Sequence, residues 1–389
     1  MFPDLSYFFH KVFGTEPDNW LSIFKTFGLF LVIAILFAAW LLYLELKRKA
    51  AEGKFTPQKK NYIIGGPPQT WDLISNGIFG FILGFKGAYA AMNFAEFQAD
   101  PAAVAFSAKG NWLFGIIGFL GFAAYRYWEV KRVQLPKPKQ VVETIYPHDR
   151  IGDITIIAAI TGIVGAKLFA LIEDLPTFFA DPIGTFFSGS GLAIYGGLIG
   201  GFIGVYIYLS MHKIKPIHVM DAVAPALIIS YGIGRIGCQL LGDGDWGIVA
   251  KEQPDWWFLP DWLWSYTYPN NVNRDGIPIE GCDYIYCREL AEGVYPTPLY
   301  EIAMTIIIFA FLWSIRKKLN IAGMLFFIYV FLNGLERFII EKIRVNPVYN
   351  DFGIEYTQAE FIAVILMLIG ITGGLILRQR AKNGKAEMA

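Results

Sequence analysis

The chain of 389 residues is 55% hydrophobic and 16% aromatic with only 17% charged residues, and its mean hydropathy is +0.43. Soluble domains carry about 25% charged residues, so this balance points to a polytopic membrane protein and excludes intrinsic disorder and a secreted mini-protein. Basic and acidic residues cancel at 33 each and cysteines number three, which argues against a nucleic-acid partner, a disulfide scaffold or an all-cysteine metal site; no metal and no cofactor is expected.

The expected fold class is an all-α membrane protein of nine transmembrane helices with re-entrant outer loops and a small outer head. About 20 apolar residues cross a bilayer, and Thr26 to Leu44 is uncharged between Lys25 and Glu45. Further spans are expected near 72–95, 112–128, 151–172, 192–211, 217–241, 298–315, 321–343 and 358–377. Pro182 to Met211 is too long an uncharged run for one crossing, so it reads as a short re-entrant piece followed by a span from Leu192. The predicted divisions are an N-terminal arm and first span (1–50), and loops with a hairpin (51–150). A core (151–241), an outer head (242–296), C-terminal helices (297–378) and a tail (379–389) follow. No charged n-region with a small-residue cleavage site precedes the first span, so no cleaved signal peptide is expected.

Loops on one side carry twenty-one basic residues and those on the other six. By the positive-inside rule the N-terminus lies outside and the C-terminus in the cytoplasm. The outer segment Gly242 to Tyr295 holds Trp246, Trp256, Trp257, Trp262 and Trp264 among several acids. It reads as an interfacial aromatic belt or as substrate contacts. Cys282 and Cys287 lie here and are either a small-loop disulfide or free thiols.

A shift of 81 positions aligns two stretches without a gap. Asp72, Gly84 and Lys86 match Asp153, Gly165 and Lys167, and Ala99-Asp100-Pro101 matches Ala180-Asp181-Pro182. Phe106 and Ser107 match Phe187 and Ser188, and Tyr127 matches Tyr208. The hairpin 72–128 therefore reads as a parallel copy of 153–208.

Six basic residues remain at membrane depth: Lys25, Lys86, Lys167, Arg235, Arg337 and Lys342. Lys25 and Lys342 lie near helix ends, where long side chains reach the interface. A centred arginine costs about 2.5–3.5 kcal/mol on insertion scales and marks a functional site by default. Arg235 sits in S-Y-G-I-G-R-I-G-C-Q-L-L-G-D-G-D-W-G from Ser230, flanked by Gly234 and Gly237. Arg337 begins R-F-I-I-E-K-I-R, where Glu341 shares its helix face and Arg344 follows three positions on. Forked guanidinium groups suit phosphate, so the pair reads as an anion site or as an ion-pair network holding helices together. Ser188, Ser190 and Tyr195 precede the glycine stripe Gly196, Gly200 and Gly204, with Gly197 beside it, and Tyr295 to Glu301 reads Y-P-T-P-L-Y-E.

Together these runs resemble the prolipoprotein diacylglyceryl transferase family. Its G-R-x-G-N-F-x-N-x-E…G resembles the run from Gly234, and its F-H-G-G-L-I-G resembles I-Y-G-G-L-I-G from Ile194. Its H-P-x-Q-L-Y-E resembles the run ending in Tyr300 and Glu301, and its R-F-x-x-E-x-x-R resembles Arg337 to Arg344. The resemblance covers about 21–49 and 151–378, with the 72–128 hairpin as an addition. Both family histidines are replaced, by Tyr195 and Tyr295; an asparagine becomes Cys238, a tyrosine Phe27 and an arginine Lys167.

The resemblance implies a multi-pass protein of the bacterial cytoplasmic (inner) membrane that moves diacylglycerol from phosphatidylglycerol to the lipobox cysteine of prolipoproteins. Arg235, Arg337 and Lys167 would bind the phosphate, and Arg337, Tyr195, Glu341 and Asp243 would serve the chemistry, with Asp245 a further base candidate. Gly234, Gly237, Gly196, Gly197, Tyr300, Glu301 and Arg344 would support them. The expected partners are phosphatidylglycerol, prolipoprotein substrates and membrane lipid. The alternative is a non-catalytic protein that binds or moves anionic phospholipid.

Overall fold

A computed structural model describes residues 1–186, 193–351 and 353–386. The short α1 (Leu5–Phe13) is capped by Asp4, whose side chain accepts from the Ser6 amide, and ends at Gly14 in the left-handed region. Then come α2 (Thr26–Ala51), α3 (Thr70–Met92), α4 (Phe94–Ala99), α5 (Pro101–Phe106) and α6 (Trp112–Arg132). They are followed by α7 (Ile151–Glu173), α8 (Leu175–Ala180), α9 (Pro182–Phe186) and α10 (Ile194–Met211). The last four are α11 (Pro216–Leu241), α12 (Thr297–Ile315), α13 (Met324–Glu341) and α14 (Gln358–Ala386).

Among the described residues, the nine helices of 18 residues or more lie where the nine hydrophobic runs predict them. Six are long and apolar enough to cross a membrane by length and composition: α2, α3, α7, α11, α12 and α14, while Tyr195–Met211 is apolar and shorter. The chain is an all-α polytopic membrane protein, with three antiparallel two-stranded ribbons among the described residues. These pair Gln58–Ile64 with Lys139–Ile145, Ile277–Pro278 with Arg288–Glu289, and Val348–Asp351 with Ile354–Thr357. Hydropathy could not announce them, because each pairs short polar or mixed segments.

The chain divides into two compact units, Met1–Lys54 with Lys213–Ala389, and Phe55–His212. In the second unit the helix bounds recur at the spacing of the sequence repeat. Both ends of α3 and α7, and both ends of α4 and α8, differ by 81 residues. Pro101 and Pro182 open α5 and α9 at the same spacing. Asp100 caps α5 by accepting from the Ala103 amide. Lys86 donates to the carbonyls of Val104, Ser107 and Lys109, so its charge ties the loop between α5 and α6 to α3.

Glycine lets the paired helices of each hairpin approach. A Cβ on Gly80 would strike the Gly118 carbonyl, and one on Gly165 would meet the Gly196 carbonyl and lie 2.9 Å from the Gly200 Cα. The backbones themselves are in contact there, as in small-residue packing between membrane helices. The part of the expected re-entrant piece from Phe187 to Leu192, with Ser188 and Ser190, lies outside the described residues.

In the first unit, Ile228, Leu312 and Leu325 form a buried core from α11, α12 and α13. Gly334 packs on α14, where a Cβ would lie 2.7 Å from the Ala363 carbonyl. The head is built on buried Asn271, whose amide donates to the carbonyls of Tyr268 (3.2 Å), Asp275 (3.0 Å) and Arg288 (3.2 Å). Cys282 and Cys287 form a disulfide with Cα atoms 5.6 Å apart. The N-terminal arm closes on this head: the Met1 ammonium donates to the Pro269 carbonyl at 2.5 Å. The Ile285 amide donates to Asp18 at 2.9 Å.

Candidate active site

The helix α11 runs uninterrupted from Pro216 to Leu241 and stops because Gly242 adopts the left-handed region, φ 66°. Arg235 thus lies in its last two turns, and the turn after Gly242 carries Asp243 and Asp245 back toward it. Asp245 forms ion pairs with both Arg235 and Arg344. Thr297, at the start of α12, donates to the Asp245 carbonyl at 2.6 Å and pins the turn.

One turn further along α12, fully buried Glu301 is the centre of the cluster. Its Oε2 is 2.8 Å from Arg235 Nε, and its Oε1 is 3.6 Å from Arg337 and 3.5 Å from Arg344. Tyr231 donates to the same carboxylate at 3.0 Å, and the Arg235 guanidinium lies over the Tyr231 ring, 5.0 Å from its centroid. Arg235 on α11, Arg337 on α13 and Arg344 just past its end thus converge on one buried carboxylate of α12. A lone buried cation is very costly, and Glu301 together with Asp245 and Glu341 offsets the three of them.

Arg337 has a second support. Glu341, one turn along α13, holds its Nη2 at 2.9 Å. Glu341 Oε1 in turn accepts from Thr357 at 2.7 Å and Asn346 at 2.6 Å. With both oxygens engaged and no exposed surface, Glu341 fixes the position of the guanidinium. The side chains of Arg235 and Arg337 keep 12% and 20% of their surface exposed, which is where a further anionic oxygen can meet the cluster.

Arg344, expected as a supporting residue from its place three past Glu341, joins the cluster with only 8% of its side chain exposed. Glu336, directly before Arg337, was not expected: it is buried, and neither of its oxygens has a hydrogen-bond partner among the described residues. Nothing in the sequence marks it.

Asp243, Asp245 and Cys238 bring their ligand atoms within 4.8 Å of one another. Burial, and then the charge of Asp245, raise the Asp243 carboxyl above the ordinary aspartate range. Burial acts the same way on Asp245, but Arg235 and Arg344 outweigh it and hold that carboxyl below the ordinary range. One aspartate is thus a fixed anion and its neighbour a proton acceptor of raised basicity. With two guanidiniums already on Asp245, the group suits proton handling better than holding a cation.

The other expected residues fall as follows. Gly237 admits α2, since a Cβ there would lie 3.1 Å from Phe30 and 3.5 Å from the Phe27 Cα, whereas Gly234 faces open space. Tyr295 is buried in the head; its hydroxyl accepts from the Lys251 amide at 3.2 Å and its ring meets Trp264 edge-on. Tyr300 donates to the Leu263 carbonyl at 2.7 Å. Lys25 pairs with Asp4 at 3.5 Å, and Lys342 pairs with Glu360. Lys167 and Tyr195 belong to the 55–212 unit, with Lys167 buried on α7 and Tyr195 half-buried in the first turn of α10. Gly196 and Gly197 face Gly165 and Gly162 in the same unit.

The family model for prolipoprotein diacylglyceryl transferase matches residues 101–376. The match takes in part of the hairpin expected to be an addition and leaves out residues 21–49. A phosphatidylglycerol–prolipoprotein diacylglyceryl transferase of Dehalococcoides mccartyi is 28% identical over 281 residues, 71% of this chain and 93% of the relative. One of Staphylococcus carnosus is 32% identical over 236 residues, 60% of this chain and 76% of the relative. The Staphylococcus aureus enzyme is 30% identical over 236 residues, 60% of this chain and 75% of the relative. With the family match spanning most of its length, the chain belongs to the prolipoprotein diacylglyceryl transferase family.

Proposed function

We propose that the chain transfers the diacylglyceryl group of phosphatidylglycerol to the lipobox cysteine of prolipoproteins, with the arginine cluster around Glu301 receiving the lipid phosphate. The carrying observation is the convergence of Arg235, Arg337 and Arg344 on one buried carboxylate, with the Arg235 and Arg337 side chains still partly exposed. The substrate thiolate attacks the glyceryl carbon that bears the phosphate. A carbon–sulfur bond forms, the carbon–oxygen bond breaks, and its electron pair leaves on glycerol phosphate. Charge gathers on the departing phosphate, where preorganised guanidiniums stabilise it most.

The thiol proton needs an acceptor, since an ordinary cysteine is only a few per cent thiolate at neutral pH. Asp243 is assigned that role: it is an outer-side carboxyl of raised basicity beside the cluster. Glu341 is a positioning residue for Arg337. By family resemblance Lys167 contributes a phosphate contact, as a point charge, and Tyr195 orients substrate by its hydroxyl. The enzyme works in the bacterial inner membrane, with the head and cluster on the outer side and the C-terminus in the cytoplasm.

The test is transfer in proteoliposomes containing phosphatidylglycerol and a lipobox peptide. A thioether-linked diacylglyceryl peptide with stoichiometric glycerol phosphate is expected, and none from a peptide with serine in place of cysteine. Phosphatidylglycerol binding without product would instead favour a lipid-binding protein.

A further inference from the structure

At the opposite end of α11, the first unit contains a cavity of about 290 Å³ between the end of α2, the start of α11 and the loop after α12. Asp221 in its lining and Arg235 of the cluster are fourteen residues apart on one helix, about 21 Å at 1.5 Å per residue. The two sites therefore lie at opposite faces of the membrane segment. Basic side chains dominate the cavity: Arg48, Lys49, Lys54, Arg316 and Lys317, against Glu52 and Asp221.

The acids are already committed to building the walls. Asp221 accepts from the Gly323 amide at 2.8 Å and the Phe326 amide at 3.2 Å, and pairs with buried Lys49 at 3.4 Å. Glu45, behind the cavity, is held by Arg48 and by Arg316 Nε at 2.9 Å. Glu52 pairs with Arg48 at 2.6 Å. Arg316 is fixed further by stacking on Trp313, 3.4 Å from the ring centroid. With each carboxylate paired, Lys54 and Lys317 supply positive charge that no acid in the cavity offsets. Loop charges that merely set orientation need no such enclosure; here buried ion pairs shape a concave wall and two cations rim it.

We propose that this cavity is a second phosphate site, taking either the headgroup of an inner-leaflet anionic phospholipid or a soluble phosphate. Basic recesses between membrane helices on the cytoplasmic side suit phosphate headgroups, because short-range attraction adds to the negative surface potential of that leaflet. A bound phosphate would join the ends of α2, α11 and α12.

The test uses the full chain in neutral detergent and counts bound phosphatidic acid by native mass spectrometry. Wild type is expected to hold one more molecule than the Lys54→Ala/Lys317→Ala variant, whose affinity at this site falls roughly 30-fold. Lys54→Arg/Lys317→Arg should retain the extra molecule, and transfer activity in phosphatidylglycerol should be unchanged in both. Arg337→Ala should also retain it, which keeps the outcome independent of the assignment at the other end of α11. Excess inorganic phosphate separates the sources: displacement marks a site for the phosphate group alone, and persistence a site for the whole lipid headgroup. Equal counts in wild type and the alanine variant would overturn the site, and loss in the arginine variant would overturn charge as its basis.

Discussion

Arg337 is held on two sides, by Glu301 and by Glu341 with its own hydrogen bonds to Thr357 and Asn346. That support fixes the plane of the guanidinium as well as its charge. Arg337→Lys should therefore lose most transfer, because an ammonium cannot reproduce a fork, while membrane insertion is retained. Asp243 supplies a pH prediction. Its carboxyl lies above the ordinary value of about 3.9, and the base must be ionised, so transfer should rise with pH through a limb above that value. Asp243→Asn should remove the limb and slow transfer by about a hundredfold or more; an unchanged profile would transfer the role to another group. For Tyr195, a hydroxyl that only orients substrate costs about 0.5–1.5 kcal/mol when deleted, up to about tenfold in rate. Tyr195→Phe should stay active, and a loss beyond about a thousandfold would make the hydroxyl essential. Arg235 and Arg337 were legible in the sequence because arginine is expensive at membrane depth. Arg344 was legible as a supporting residue from its place in R-F-I-I-E-K-I-R, whereas Glu336 was not, because nothing in its position shows that its helix face is buried.

At the scale of elements, the glycine stripes set how closely the hairpin helices can pack. A Cβ on Gly196 would meet the Gly165 carbonyl and the Phe169 side chain, whereas one on Gly121 would meet nothing within 4 Å. Gly196→Ala should thus lower stability by about 1–3 kcal/mol, the usual cost of overpacking, while Gly121→Ala should melt like wild type in detergent. Equal melting of the two variants would contradict backbone contact as the basis of α7–α10 packing. The long helices were readable because their apolar runs match the bilayer thickness. The ribbon joining Gln58–Ile64 to Lys139–Ile145 was not, since its partners lie some 80 residues apart and alternate no clear apolar face. The 81-residue register was visible because lysine, glycine and the Ala-Asp-Pro run mark it; Lys86 shows what one of those marks does, in binding three loop carbonyls.

For the whole molecule, charge asymmetry and the head make one joint prediction. A reporter fused after Ala389 should be cytoplasmic and one inserted near Asn271 outside, with Cys282 and Cys287 refractory to thiol labelling until reduced. The sequence left the pair open between thiols and disulfide because spacing alone does not fix the turn that brings Cα atoms to 5.6 Å. Family membership was legible from four short runs in order. The convergence of their charges on Glu301 needed the fold, because α11, α12 and α13 meet there from positions 66 and 36 residues apart. The most direct test of that convergence is the rate of thioether formation by purified Arg235→Ala and Arg337→Ala variants in phosphatidylglycerol proteoliposomes, each checked for insertion and thermal melting. The phosphate assignment predicts that both are inserted and folded yet form no product; transfer at the wild-type rate by either would contradict it.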